Sequence, residues 1–144
     1  GERCTCGRNG CWEAYASATA LIRDTKIAAI RYPESLLNDE ISGDFDKVNA
    51  KLVFDVAEKG DEVSKTVIEN YINYVAEGFA NLINIFDPEI IAVGGGVASQ
   101  GENILAPIRE RVNELCYGGG SQTKIVIAEL GNDAGIIGAA MLGR

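Results

Sequence analysis

Three cysteines within eight residues, Cys4, Cys6 and Cys11, constrain this 144-residue chain more than any other feature. Gly7 and Gly10 stand among them in GERCTCGRNGC, and glycine permits the sharp turns that let several sulfurs point inward. Three crowded thiols make a poor disulfide framework, since one stays unpaired, but a good metal half-site. Tetrahedral zinc wants about four ligands. The chain has no histidine, and its remaining cysteine, Cys116, lies far along the sequence, so the fourth ligand is expected from outside the chain. The competing reading is three ordinary thiols in a glycine-rich loop. Free thiols in this number favour a reducing compartment. The chain also opens on Gly1-Glu2-Arg3 directly against the cluster, without Met, as expected of a piece cut from a longer protein.

Beyond the loop, hydrophobic periodicity sets the architecture. A helix is predicted over 13–30, with Ala14, Ala18, Leu21, Ile22 and Ala29 on one face and Pro33 as its stop. Residues 33–48 read as an irregular acidic loop. A short helix follows over 49–59, capped by Asn49, with Leu52, Val53, Val56 and Ala57 inward. Asp61 opens a long amphipathic helix to about Phe86, in which Val63, Val67, Tyr71 and Val75 recur every fourth residue beside a stripe of Ile68, Ile72, Phe79, Ile83 and Phe86. Asp87-Pro88 ends it. Residues 89–93, EIIAV, suit a strand buried on both faces. A helix over 102–116, a strand over 124–129 and a last helix from Asp133 complete the order. Helices first, then strand–helix–strand–helix, means an α/β fold with the two strands parallel across the intervening helix.

Composition excludes some partners. A net charge of −8 argues against non-specific nucleic-acid or anionic-membrane binding, both of which want a basic surface. It leaves ATP open, because a few backbone N–H groups bind phosphate inside an acidic protein. The apolar runs fall far short of the roughly 20 residues that span a bilayer. The chain is expected to be soluble and cytoplasmic.

Two further segments carry possible chemistry. Glu13 ends the motif C-x-C-G-x-x-G-C-x-E. A carboxylate there suits neighbouring hydroxyls as an acceptor, and equally suits a helix first turn, where the dipole favours acid. Gly94-Gly95-Gly96 follows the first strand, where open α/β sheets bind ligands. A plain turn fits those glycines as well, and no G-K-[ST] follows to make a Walker loop. The glycines and alanines of 134–140 permit a helix to lie close on a sheet, with Asn132 or Asp133 as its cap. Cys116 stands in register with Ile104, Ile108 and Val112, as a core thiol would.

CTCGRNGCWEAYASA resembles the signature of the ROK family (repressors, open reading frames, kinases), in particular its bacterial glucokinase branch. The resemblance covers essentially the whole chain but only the C-terminal half, or slightly less, of such a kinase. It implies the C-terminal part of an actin-like (ribonuclease H-like) sugar kinase fold, with 1–13 a zinc-binding loop, 14–86 mainly helical and 87–144 the strand–loop–helix nucleotide-binding part. It implies zinc on Cys4, Cys6 and Cys11 with an upstream histidine as fourth ligand, so zinc retention by this chain alone is in doubt. It implies Glu13 on sugar hydroxyls, ATP with Mg²⁺ at Gly94, Gly95 and Gly96, and a hexose, most readily glucose, as acceptor. Trp12, where the family usually has a smaller apolar residue, reads as packing. The family's phosphate-binding D-x-G-G-T-K, its catalytic aspartate and its E-x-x-H segment are absent, so no catalytic residue is assigned and the chain alone is expected to be inactive. The missing N-terminal half of the same protein would then be its partner, with a homo-oligomer possible in such kinases. A sugar-responsive ROK repressor, a ROK kinase for fructose or N-acetylmannosamine, and a small zinc-stabilised association module are the alternatives.

Overall fold

The computed structural model describes residues 1–142, with the side chains of residues 96, 97, 132 and 134 outside the description. The chain divides into two compact units, residues 1–78 and the residues from Phe79 onward.

The first unit is helical. Behind the cysteine loop come α1 (Glu13–Ala16), α2 (Ala18–Arg31), α3 (Leu36–Ile41), α4 (Ala50–Glu58) and the start of α5 (Glu62–Phe86). The single helix expected over 13–30 is broken at Ser17, which lies extended at φ −91°, ψ 162° and caps α2 by accepting the Ala20 N–H. A serine hydroxyl competes with the helix for backbone donors, so it starts a helix better than it continues one. The stretch 33–48, expected to be irregular, contains α3 and a 3-10 turn at Phe45–Lys47. Ser35 caps α3, and Leu37 and Ile41 point into the core, 0% and 1% exposed. Two apolar contacts four residues apart thus outweigh an acidic local composition. Asn49 caps α4 through the Leu52 N–H, as expected. The core gathers Ala28, Ala29, Leu37, Ile41, Val48 and Val56, flanked by Ile22, Phe45, Leu52, Val63 and Val67.

One carboxylate ties the starts of α3 and α5 together. Asp61 is buried and accepts from four donors: the Ser35 hydroxyl, 3.0 Å from each oxygen and shared between them, the Leu36 N–H at 2.9 Å, and the Ser64 N–H and hydroxyl, each at 2.7 Å. Burial alone would raise its pKa. The Ser64 hydroxyl and N–H, the Leu36 N–H and the Ser35 hydroxyl outweigh burial and hold it below the usual carboxylate range.

In α5 the four-residue period holds from Tyr71 through Val75, Phe79 and Ile83, all buried, whereas Phe86 at the helix end is 71% exposed. The second unit continues with β1 (Ile90–Val93), α6 (Glu102–Leu115), β2 (Lys124–Ile127) and α7 (Ala134–Met141). β1 and β2 pair in parallel, Ile90 opposite Lys124 and Val93 opposite Ile127, as expected. β1 is not buried on both faces: its exposure alternates, and Ile90 is 56% exposed. Among the described residues, α6 packs against β2; Ile125 is buried, and Ile90 and Val126 face outward. Cys116 joins Ile104, Ile108 and Val112 in the core of this unit. The last helix does not lie close on a sheet within its unit. Ile136 and Met141 are exposed, and a Cβ at Gly135 or Gly138 would meet open space. Asp133 makes no side-chain capping bond, and the Asn132 side chain lies outside the described residues.

Candidate functional site

The cysteine loop is built by its backbone before any metal is considered. The Cys4 N–H donates to Arg8 O at 2.8 Å, Gly7 N–H to Cys4 O at 2.9 Å and Gly10 N–H to Glu2 O at 2.8 Å. Arg3 and Asn9 form an antiparallel bridge. Gly7 and Gly10 take φ of 88° and 75°, a left-handed conformation that side chains resist. The outcome is a fold-back that gathers the three sulfurs within 4.8 Å of one another, with Cys6 and Cys11 Sγ 3.6 Å apart. Tetrahedral zinc–thiolate bonds of ~2.3 Å put neighbouring sulfurs about 3.8 Å apart. The donor set and its spacing therefore fit three corners of such a site.

Glu13, the first residue of α1, stands against this cluster. Its Oε2 accepts the Cys4 thiol at 2.9 Å and the Thr5 hydroxyl at 3.3 Å. The carboxylate pushes the Cys4 thiol up to about 11, because a thiol donating to an anion holds its proton. Cys6 goes the other way, down to about 7, under the Arg8 backbone N–H and then its side chain. The short helix carrying Glu13 is held by the Arg23 guanidinium on Ala14 O, at 2.8 Å, and, at its far end, by the Tyr71 hydroxyl on Ala16 O, at 3.0 Å. Burial drives the Tyr71 phenol up to about 12, so it remains a donor. Trp12 is 45% exposed; its ring lies against Gly78, and its indole N–H donates to Tyr74 O at 2.7 Å.

In the second unit, β1 and β2 end at the same edge, where the Ala128 N–H donates to Val93 O at 2.8 Å. Gly94 and Gly95 follow β1 there, both exposed. Gly95 lies at φ 85°, ψ −175°, a region essentially restricted to glycine. Gly96 opens the 3-10 turn Gly96–Gln100, and its surroundings lie outside the described residues. Among the described residues, no helix is long and apolar enough to cross a membrane.

The family model described as "ROK family" matches residues 1–144. The chain belongs to the ROK family. It is 37% identical to a glucokinase of Thermotoga maritima over 143 residues, 99% of this chain and 45% of that protein. The crystal structure of a ROK family glucokinase from Streptomyces griseus, in complex with glucose and AMPPNP, superposes with a TM-score of 0.86 at 37% identity. That likeness covers 99% of this chain and 47% of the other. A xylose repressor of Bacillus spizizenii is 27% identical over 143 residues, 99% of this chain and 33% of that protein. This ROK chain thus spans about half the length of the glucokinases it matches, and its fold is the helix-rich α/β arrangement with a short parallel strand pair expected for part of an actin-like sugar kinase.

Around Glu13, Thr5, Arg8 and Arg23 carry no role in the reading of the sequence, and Tyr71 reads there only as part of the apolar repeat of α5. Gly78 interrupts the apolar pattern of α5, and an isolated glycine in a helix asks for a packing reason.

Proposed function

We propose that the protein carrying this ROK chain is an ATP-dependent hexose kinase, with glucose as acceptor, giving ADP and glucose 6-phosphate. The observation that carries the reading is the Glu13 carboxylate standing beside three gathered thiols on a rigidly clamped helix. Similarity to glucokinases along 99% of the chain supports it. In this reading Cys4, Cys6 and Cys11 hold a structural zinc ion that stiffens the loop, with a fourth ligand from elsewhere in the protein. Glu13 accepts hydrogen bonds from sugar hydroxyls. The backbone at Gly94, Gly95 and Gly96 receives ATP, whose Mg²⁺ offsets phosphate charge. Residues 1–13 then serve as metal loop, 14–86 as helical support and the part from residue 87 as nucleotide side. The cytoplasm, where ATP and reduced thiols coexist, is the compartment.

A coupled assay of hexose phosphorylation on the longer protein, run over glucose, fructose and N-acetylmannosamine, tests this. Turnover is expected with glucose, and none with any hexose would refute it. The 144-residue chain alone is expected to give no glucose 6-phosphate, since no residue is placed here as general base on a sugar hydroxyl. In the active protein, Gly95→Ala is expected to raise the KM for ATP on the order of tenfold and leave that for the hexose unchanged, read by steady-state kinetics.

The similarity to a xylose repressor favours a second reading, a sugar-responsive regulator. A helix-turn-helix ahead of this chain and hexose binding without ATP turnover would establish it.

A further inference from the structure

A four-residue helix cannot hold its own direction, because helix nucleation is unfavourable without tertiary support. Within α1, Arg23 holds the Ala14 carbonyl and Tyr71 the Ala16 carbonyl at the far end. The end beside Glu13 is secured by Trp12, placed between Cys11 and Glu13. Its indole N–H reaches a main-chain carbonyl inside α5, Tyr74 O, at 2.7 Å. Its ring occupies the space where residue 78 would carry a side chain: a Cβ on Gly78 would overlap the indole Cε2, Cζ2 and Nε1. Glycine is unfavourable in a helix interior relative to alanine, and the close approach of the indole is the reason for one here. The Tyr15 and Tyr74 rings, 5.1 Å apart and tilted by 48°, brace the same junction.

We propose that Trp12 is a positioning residue: seated on Gly78 of α5, it fixes the direction in which the next residue, Glu13, presents its carboxylate to the sugar. The proposal rests on the reading of Glu13 as the sugar contact. Trp12 itself touches no reacting atom. Its effect belongs to sugar binding, because a hydroxyl contact away from the transferring phosphoryl group is made equally in ground and transition states.

The test uses the kinase that carries this chain, with Gly78→Ala, Trp12→Leu and the double variant. Gly78→Ala is expected to raise the hexose KM on the order of tenfold, with kcat and the ATP KM within about twofold. Trp12→Leu is expected to do the same, and the double variant to be no worse than Trp12→Leu alone, since both changes break one contact. Trp12 is the sole tryptophan of the chain; subtracting the emission of the matching Trp12→Leu protein isolates its fluorescence from any tryptophan elsewhere in the longer protein, and a shift of that signal to longer wavelength in Gly78→Ala reports the displaced indole without catalysis. Melting temperature supplies the control for folding. Gly78→Ala is expected to lower it with Trp12 present and to raise it in the Trp12→Leu background, where the helix gains alanine and nothing is displaced. An unchanged hexose KM despite shifted emission would overturn the positioning role, and so would effects on KM that add in the double variant. Unshifted emission would overturn the seat on Gly78. If the wild-type protein binds hexose without turnover, the hexose Kd takes the place of KM. If it binds no hexose at all, the reading of Glu13 fails with it, a result visible in the wild type before any variant is compared.

Discussion

Asp61→Ala is expected to cost about 3–5 kcal/mol of folding stability, because it strands several buried donors at once. The Leu36 and Ser64 N–H groups and the Ser35 and Ser64 hydroxyls all donate to this carboxylate. Ser35 and Ser64 are themselves buried, 4% and 0% exposed, so water cannot readily replace the lost acceptor. A single exposed N-cap is worth ~1 kcal/mol; Asp61 serves the starts of two helices. Against a typical domain stability of 5–15 kcal/mol, the loss would leave the chain close to unfolding. Urea denaturation at neutral pH checks it, and a change below about 1 kcal/mol would show that the network relaxes without its acceptor.

The same carboxylate gives stability a pH dependence of definite sign. Its pKa is lowered in the folded state, so between the folded value and the unfolded one, near 3.9, the unfolded chain binds more protons. Stability therefore rises with pH through that window. The contribution is fully present above the unfolded pKa and is lost as pH falls through the folded one. Asp61→Asn, which keeps one acceptor and no charge, is expected to flatten this acid limb.

The second large effect concerns the thiols. Cys11→Ser is expected to weaken zinc binding on the order of a hundredfold or more, since it removes one of the three thiolates and leaves the chain supplying only half of a tetrahedral site's ligands. The metal-free fold should barely change. The loop is shaped by the Cys4–Arg8, Gly7–Cys4 and Gly10–Glu2 backbone bonds, none of which uses a cysteine side chain, and Cys11 is only half-buried. The two halves of the prediction separate in one experiment, thermal melting with and without zinc. Zinc binding to the folded state alone raises the melting point by mass action. The wild-type longer protein, which supplies the fourth ligand, should therefore gain stability with zinc, and its Cys11→Ser variant should start from the same metal-free melting point and gain little. Equal zinc responses in both would remove Cys11 from the ligand set.

What the sequence made legible follows from which signals are local. The loop and its three sulfurs could be read because glycine spacing and thiol chemistry act within eleven residues. The long helix could be read from Tyr71, Val75, Phe79 and Ile83, and the parallel strand pair from its strand–helix–strand order. Ser17 was hidden because its neighbours on both sides favour helix, and only its hydroxyl's bond to Ala20 N–H breaks the run. The helix Leu36–Ile41 was hidden by its acidic composition. Its support is Asp61, 25 residues away from Leu36, which no local window contains. The open face of β1 was misread because a continuous apolar run does not say how many layers will cover it; α6 covers one. At the site, Glu13 was visible from its motif, while the clamps on its helix came from Arg23, Tyr71 and Tyr74. Those contacts join residues 9 to 62 positions apart and exist only once the helices have packed.

Hexose affinity measured by calorimetry on the full-length protein, before and after removal of its metal by a chelator, bears most directly on the link between thiol loop and sugar. The account predicts that metal-free protein binds glucose at least tenfold more weakly while its affinity for an ATP analogue is unchanged. Equal glucose affinity with and without metal would contradict it.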